Sequence, residues 1–403
     1  MKKIIIIAIG LIIIIGAAII IFQFQSKSEV TSAVVAIPQP IGTNAASYDQ
    51  GYQLFLLGKD KKALEYFNQA LASDSSNLKA WCYKGKVLYN LNRNDEAIAA
   101  FDTALQLDKD CIYALVGKAR VVKKLGKDEE YNALLDQAVK LMPKENDAFS
   151  YFSRGLANRR NKKNDQAIAD YTEAIKLDPQ FAEGYLERGI THFLKNNPTQ
   201  AIADYDAGIK LNPNYVEAYI ERGMANGSLH NYEQANADFS QVLKINPQYT
   251  DAYFQRGLIS VLAHNYQQAI ADYTKAIDTD TSYAFVYKER GIAYAMLKED
   301  DKALADYSKA IELDPKSTAA YSLRGSFYVS RRKYDLAIND LTERIKLDPQ
   351  DAIGYWDRGN AYLAKQDYPA AKQDFAKAIE LDPTGNAGKY AKVKLLQMQK
   401  RGY

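Results

Sequence analysis

The stretch AFVYKERGIAYAMLKEDDKALADYSKAIELDPKS, residues 284–317, contains the pattern that decides the fold. Small residues stand at Gly291 and Ala303, and an aromatic residue stands at Tyr307. Apolar residues recur every three or four positions on both sides of the polar segment 298–300, which predicts two amphipathic helices joined by a short turn. The Asp-Pro pair at 314–315 predicts the end of the second helix, because proline disfavours helical geometry in the residue before it.

The same pattern returns every 34 residues along most of the chain. We number each repeat from 1 to 34, so that the proline of the quoted stretch occupies position 32. Position 8 is glycine in nine of ten repeats, and position 20 is alanine in nine of ten. An insertion at 146–147 separates three repeats in 44–145 from seven in 146–385. The ten repeats span 44–77, 78–111, 112–145, 148–181, 182–215, 216–249, 250–283, 284–317, 318–351 and 352–385.

The small residues at positions 8 and 20 predict that the two helices of each repeat approach closely. A glycine inside a helix costs about 1 kcal/mol relative to alanine, so its recurrence indicates that a side chain would hold the helices apart. We expect Gly189 to face Ala201, with the aromatic residue at position 24 filling the space beside them. One hairpin cannot bury its apolar surface alone, so neighbouring repeats should stack into a continuous core.

The pattern resembles the tetratricopeptide repeat family, on residues such as Tyr287, Gly291, Tyr294, Ala303 and Tyr307. The resemblance implies an all-α, right-handed solenoid of about ten helical hairpins, whose concave groove is lined by the first helices and binds proteins. The third repeat departs from the family, with Ala119 at the glycine position and Tyr131 at the alanine position, so we expect it to be loosely packed.

Arginine at position 7 and aspartate at position 23 occur together in repeats four to ten and are both absent from repeats one to three. Examples are Arg188 with Asp204 and Arg256 with Asp272. Joint presence and joint absence predict a bidentate ion pair, either between the helices of one repeat or between neighbouring repeats. The alternative role is ligand binding. We expect the path of the solenoid to change near the insertion at 146–147.

The resemblance places groove-facing side chains near positions 2, 5, 9, 12 and 13 of each first helix. An apolar strip of this kind suits the apolar face of a partner helix or an extended hydrophobic segment, although contact between adjacent first helices is an equal alternative. The strip comprises Leu186, Ile190, Phe193, Ile220, Met224, Phe254, Leu258, Val261, Ile292 and Met296.

A basic patch in repeats three and four is a second candidate surface. It could bind an acidic partner segment or anionic lipid head groups, or it could be a solvated surface. Its members are Arg120, Lys123, Lys124, Arg159, Arg160 and Lys163. Some family members grip a C-terminal carboxylate with Lys at position 5 and Asn at position 9. Here Lys288 is followed by Ile292, so chaperone C-termini are not expected ligands.

Residues 1–22 contain an uncharged, mainly isoleucine run after Lys2 and Lys3. Its 19 apolar residues would form a helix about 28 Å long, which predicts a transmembrane signal anchor with the N-terminus in the cytoplasm. A cleaved signal peptide is the alternative, although its apolar region is usually shorter. Residues 23–43 resemble a flexible linker. Residues 386–403 predict a helix that caps the last repeat.

Composition argues against catalysis and nucleic-acid binding. The net charge is only +3, so the whole chain has no electrostatic bias toward nucleic acid. The three histidines have no metal-ligand spacing, and no phosphate loop or nucleophile motif occurs. Cys82 and Cys111 fit no zinc or redox motif. They are either unpaired thiols or, in an exported domain, one disulfide.

The sequence therefore predicts a membrane-tethered scaffold that binds proteins, without a cofactor, a metal or a small-molecule substrate. We expect a single-pass protein of a bacterial inner membrane, with its repeats in the periplasm or outside. The alternatives are a chaperone-like binder of apolar segments and an organelle-surface import receptor with cytosolic repeats.

Overall fold

The structure, a computed structural model, describes residues 44–142 and 147–403. The predicted anchor and linker lie outside the described residues, so both stay predictions. All regular structure in the described ranges is helical, which confirms the all-α fold class. Within these ranges, no helix has both the length and the apolar character that a membrane crossing requires.

Helices alternate along the repeats as first and second members of hairpins. In chain order they are α1 (Asn44–Leu56), α2 (Asp60–Ser73), α3 (Leu78–Asn90), α4 (Asn94–Leu107), α5 (Ile112–Lys124), α6 (Asp128–Lys140), α7 (Ala148–Arg160), α8 (Asn164–Leu177), α9 (Ala182–Leu194), α10 (Pro198–Leu211), α11 (Val216–Ser228), α12 (Tyr232–Ile245), α13 (Thr250–Leu262), α14 (Tyr266–Thr279), α15 (Ala284–Met296), α16 (Asp300–Leu313), α17 (Thr318–Ser330), α18 (Tyr334–Leu347), α19 (Ala352–Lys365), α20 (Tyr368–Leu381) and α21 (Asn386–Lys400).

The chain divides into two compact units, and the division falls between Ile259 and Ser260 of α13. In unit 1, which ends at Ile259, each first helix packs on the second helix of its own repeat and on neighbouring repeats, as α3 packs on α2, α4 and α5. In unit 2, α21 packs on α20 and α19 and buries Ala387, Ala391 and Met398. This helix leaves Tyr390 and Val393 exposed.

The glycine at position 8 makes room for an aromatic ring more than for the alanine at position 20. A Cβ built on Gly189 would lie 2.6 Å from the ring of Tyr205 but 3.2 Å from the carbonyl oxygen of Ala201. A Cβ on Gly291 would lie 2.7 Å from the ring of Tyr307. The expected contact between Gly189 and Ala201 is therefore secondary, and the aromatic ring at position 24 is what requires the glycine.

The turn inside each hairpin uses one residue with a left-handed backbone at position 15. Non-glycine residues such as Asn92, Lys162 and His264 adopt φ values near +60° there. The first and third repeats instead place Gly58 and Gly126 at this position, with φ of +66° and +77°. Glycine adopts this conformation without the steric cost that a Cβ imposes.

The third repeat is packed unevenly. Its first helix, α5, buries eight residues, including Ala119 at the glycine position. Its second helix, α6, buries only Leu135 and Ala138. Loose packing, expected for the whole repeat, is therefore a property of α6.

Candidate interaction surface

The arginine at position 7 and the aspartate at position 23 meet across the two helices of one repeat. The guanidinium donates through Nε and Nη2 to both carboxylate oxygens, over distances of 2.5–3.2 Å. The aspartates are buried, and the arginine side chains are 16–22% exposed. This arrangement is found for Arg154/Asp170, Arg188/Asp204, Arg222/Asp238, Arg290/Asp306, Arg324/Asp340 and Arg358/Asp374.

The same arginine also binds the preceding repeat, which the sequence reasoning missed. Its Nη1 donates to a short polar side chain at position 25 of that repeat, as from Arg188 to Thr172 over 3.1 Å. Arg256 reaches Ser240 over 2.9 Å in the same way. The signal was present in the sequence, because repeats four to nine carry Thr, Ser or Asp at position 25. Arg188, Arg222, Arg290, Arg324 and Arg358 therefore each join two repeats as well as two helices.

A tyrosine at position 4 lies beside each of these guanidinium groups. The guanidinium carbon of Arg222 lies 5.4 Å from the ring centre of Tyr219, and that of Arg290 lies 5.5 Å from Tyr287. A cation over an aromatic face at this distance is a favourable contact. Both hydrogen-bonding edges and a ring face of the guanidinium are therefore occupied, and a ligand would have to displace these contacts.

The predicted apolar strip is only partly accessible. In unit 1, Leu186 and Phe254 are buried, so these side chains pack between helices and offer little surface to a partner. Val261 and Ile292 are likewise buried in unit 2. Half-buried members are Ile190, Phe193, Ile220, Met224 and Leu258, and Met296 is exposed. Phe193 also lines a shallow pocket with Leu194, Asn196, Pro198 and Ser228.

The basic patch divides into two groups. Lys123, Lys124 and Lys163 are exposed to solvent, and Lys123 pairs with Asp128 over 2.6 Å. Arg120, Arg159 and Arg160 are half-buried, on the first helices α5 and α7. Arg120 lies over the ring of Tyr89 at 4.6 Å, and Arg159 pairs with Glu187.

Burial and mutual repulsion lower the pKa of Arg160 to about 10, because Arg120 and Arg159 are its charged neighbours. The Nε atoms of Arg159 and Arg160 are buried and donate no hydrogen bond. Burial also lowers the pKa of Lys86 in α3, another basic group near Arg120. Lys86, Arg120, Arg159 and Arg160 form a set of half-buried basic groups in repeats two to four, which we call the basic wall.

Four glutamates in repeats five and six lie near this basic wall, and the sequence reasoning missed them. Glu183 and Glu187 are on α9, and Glu217 and Glu221 are on α11. Both pairs occupy positions 2 and 6, so like charges stand four residues apart on each helix, which is unfavourable in isolation. That recurrence was the available signal. We call these four residues the acidic wall.

The acidic wall carries carboxyl groups whose ionisation is suppressed. Burial raises the pKa of Glu183 to about 7, and burial together with Glu217 raises the pKa of Glu221 to about 8. Although burial disfavours the charged form of Glu187, Arg159 and Lys86 hold its pKa below the ordinary value. The charges of the two walls are therefore reduced partly by pairing between the walls and partly by protonation of Glu183 and Glu221.

A hydrogen bond across 100 residues shows how unit 1 brings the walls together. The hydroxyl of Tyr83, in the second repeat, donates to Glu183, in the fifth. The Tyr83 ring also lies 5.1 Å from the ring of Tyr52 and 5.6 Å from that of Tyr113. The first helices of repeats one to four thus share an aromatic cluster, and Glu183 of the fifth repeat contacts it through Tyr83.

Metal-ligating clusters are not found among the residues of 44–142 and 147–403. His230 and His264 are exposed turn residues whose rings contact Tyr232 and Tyr266. His192 is half-buried, 4.0 Å from Asp204, and burial lowers its pKa.

Sequence models of the tetratricopeptide repeat family match several segments of the chain. The matched residues are 44–111, 155–196, 182–215, 220–284, 284–317 and 323–386. No curated protein matches the sequence.

Several solved structures are similar to this chain. A crystal structure of MamA is 28% identical with a TM-score of 0.39, covering 40% of this chain and 95% of that one. Yeast Tom70 is 18% identical with a TM-score of 0.39, covering 88% and 96%. A tetratricopeptide repeat protein from Parabacteroides merdae is 20% identical with a TM-score of 0.45, covering 65% and 98%.

Proposed function

The chain is built of tetratricopeptide repeats, and we propose from this premise that it is a non-catalytic, membrane-tethered scaffold that binds a partner protein along the first helices of unit 1. The observation that carries the proposal is the juxtaposition of the basic wall and the acidic wall. Half-buried charged groups are costly unless they are paired, and the two walls pair with each other only in part, so a charged ligand would stabilise the groups that remain.

The partner is a polypeptide segment that carries charges of both signs. Its carboxylate would accept hydrogen bonds from the half-buried guanidinium groups of Arg159 and Arg160. Its lysine or arginine would lie near Glu217 and Glu221. Charge-assisted hydrogen bonds of this kind are short and strong, and they fix the direction of the bound segment.

The half-buried apolar residues Ile220 and Met224 lie on α11 beside this acidic pair and would contact the apolar side chains of the same segment. Burial of Leu186 and Phe254 leaves a smaller apolar surface than the sequence predicts. This favours recognition of a particular charged segment over general shielding of apolar chains, and therefore a scaffold over a chaperone-like binder.

Membrane tethering rests on the sequence of residues 1–22, with the repeats in the periplasm or outside a bacterial inner membrane. Protease treatment of intact cells, or of cells with an opened outer membrane, tests the topology. Digestion of the repeats only after the inner membrane is broken would contradict the proposed location and favour cytosolic repeats.

Binding is tested with a photo-crosslinking side chain at Met224, with Gln200 on the exposed side of α10 as the matched control position. We expect one partner to crosslink from Met224 and not from Gln200. Charge reversal by Arg160→Glu should weaken binding of that partner at least about tenfold, which corresponds to about 1.4 kcal/mol. Lys163→Glu changes an exposed member of the same patch and should have little effect.

Equal loss with Arg160→Glu and Lys163→Glu would locate binding on the solvated side of the patch and contradict the proposed site. Circular dichroism of each variant separates a binding defect from misfolding. Suppression of aggregation of many unrelated unfolded proteins, unchanged by Arg160→Glu, would instead favour the chaperone-like alternative.

A further inference from the structure

The two cysteines of the chain lie side by side in unit 1. Cys82 is on α3 in the second repeat, and Cys111 directly precedes α5 in the third. Their Sγ atoms are 3.6 Å apart, and the side chains are 0% and 5% exposed. The two cysteines occupy positions 5 and 34 of the second repeat, 29 residues apart in the sequence, and the packing of α3 against α5 brings them together.

The local structure gives the two sulfur atoms different chemistry. Cys111 occupies the N-cap of α5, where the first backbone N–H groups of a helix have no intrahelical acceptor. A hydrogen bond with the Cys82 thiol and the backbone N–H groups of Ala114 and Tyr113 lower the pKa of Cys111, against the effect of burial. Burial raises the pKa of the Cys82 thiol. Cys111 is therefore the better nucleophile, and it is also the less buried of the two.

We propose that Cys82 and Cys111 are a disulfide-forming pair that ties α3 to the start of α5 when the chain meets a disulfide donor, such as oxidised glutathione or an oxidoreductase with a reactive disulfide. The inference is independent of partner binding and of the two charged walls.

The reaction is two successive thiol–disulfide exchanges. The Cys111 thiolate attacks one sulfur of the donor, forms a mixed disulfide and releases one donor thiolate. Cys82 then loses its proton, attacks the Cys111 sulfur and releases the second donor thiolate. The two protons from the cysteines pass through solvent to the two donor thiolates. The cysteine pair is oxidised, and one donor disulfide is reduced to two thiols.

The crosslink would strengthen a part of the chain that lacks the repeated arginine–aspartate pair. The third repeat has Lys118 and Leu134 at positions 7 and 23. A bridge between Cys82 and Cys111 would close a loop containing the whole of α4 and restrict the unfolded chain. It would hold α3 against α5 by a covalent bond where later repeats use hydrogen bonds.

The test refolds the full chain from urea to equilibrium in a buffer of oxidised and reduced glutathione, so that burial does not block access to the thiols. The chain is then trapped in acid, denatured and alkylated, and its intact mass is measured. We expect the loss of both alkylatable thiols and of two hydrogen masses, with one crosslinked peptide pair after digestion. Both effects should reverse with excess reduced glutathione.

The single variants Cys82→Ser and Cys111→Ser are matched controls for the direction of exchange. After brief exposure of the folded chains to oxidised glutathione, we expect a persistent glutathione adduct on Cys111 in Cys82→Ser and less adduct in Cys111→Ser. Wild-type chains that keep two alkylatable thiols at equilibrium, or that carry glutathione on both sulfurs, would overturn the proposed pair. Crosslinks only between two chains would overturn it as well.

Discussion

Repeats four to ten and repeats one to three have the same hairpin design but are joined by different chemistry. In the later repeats an arginine fork connects the two helices of a repeat and reaches position 25 of the repeat before it. At the junction between the second and third repeats, Lys118 reaches Asp102 at position 25 over 2.7 Å. That lysine keeps the contact between repeats, and Leu134 replaces the carboxylate that would have accepted from it within the repeat.

The early repeats compensate with aromatic contacts. The Tyr83 ring lies within 6.1 Å of the rings of Tyr52, Phe55, Tyr113 and Phe149, which come from the first, third and fourth repeats. Aromatic packing tolerates varied geometry, whereas a bidentate fork fixes both distance and angle. The comparison teaches that one backbone arrangement can be specified by directional hydrogen bonds in one region and by shape and burial in another.

The largest expected effect comes from breaking one arginine–aspartate pair. Asp306→Ala leaves the Arg290 guanidinium half-buried without its carboxylate, so we expect a loss of about 3–5 kcal/mol of unfolding free energy. The double variant Arg290→Met with Asp306→Leu should recover most of that loss, because it leaves no uncompensated charge. Urea unfolding followed by circular dichroism measures both.

The corresponding change in the early repeats is the control for this prediction. Lys118→Met removes an ion pair whose aspartate is 41% exposed, so we expect a cost of about 0–1 kcal/mol. A cost for Lys118→Met as large as that for Asp306→Ala would show that both regions depend equally on charge, and the contrast drawn between them would be wrong.

Substitutions at position 8 compare the packing of a later repeat, which has glycine there, with that of the third repeat, which has alanine. A Cβ on Gly291 would lie 2.7 Å from the Tyr307 ring, so Gly291→Ala should destabilise the chain by about 1–3 kcal/mol through overpacking. The third repeat already accommodates Ala119 at this position. Ala119→Gly should therefore cost only about 1 kcal/mol, through lower helix propensity. Thermal unfolding of both variants compares them, and a stabilising Gly291→Ala would contradict the assigned role of the ring.

The acidic wall makes the stability of unit 1 depend on pH near neutrality, which the aromatic cluster does not. The raised pKa values of Glu183 and Glu221 mean that the folded chain binds more protons than the unfolded chain between about pH 4.5 and pH 8. Stability should therefore fall as pH rises through that window, by on the order of 1–3 kcal/mol. Glu221→Gln should flatten the dependence, as measured by urea unfolding at several pH values. An unchanged slope would show that Glu221 ionises freely in the folded chain.

The smallest effect concerns the turn at position 15. Gly126 has a φ of +77°, so Gly126→Ala should cost about 1 kcal/mol, because alanine is strained in the left-handed region. Asn92→Gly makes the reverse change, from a side chain to glycine, in the equivalent turn of the second repeat. Its effect on the free energy of unfolding should be neutral or slightly stabilising. Hydrogen exchange of the turn amides reports both changes locally. A neutral Gly126→Ala would mean that this turn has relaxed from the left-handed conformation.

Much of the architecture could be predicted from local pattern. The spacing of Gly291, Ala303 and Tyr307 predicts the hairpin. The common occurrence of arginine and aspartate in seven repeats predicted a contact that the structure shows within six of them. The basic patch, which includes three of the four residues of the basic wall, could also be predicted. The acidic wall was not recognised, although Glu183 and Glu217 occupy the same position in adjacent repeats.

What the sequence by itself determined is the period, the two helices of each repeat and the pairing of arginine with aspartate, because these depend on helical periodicity and on residue types that recur together. The tertiary structure alone decided that Tyr83 reaches Glu183, that Cys82 meets Cys111 and that Leu186 and Phe254 are buried. These contacts depend on how small displacements between successive repeats accumulate in unit 1. No local pattern specifies that sum, since each displacement depends on packing across a whole interface.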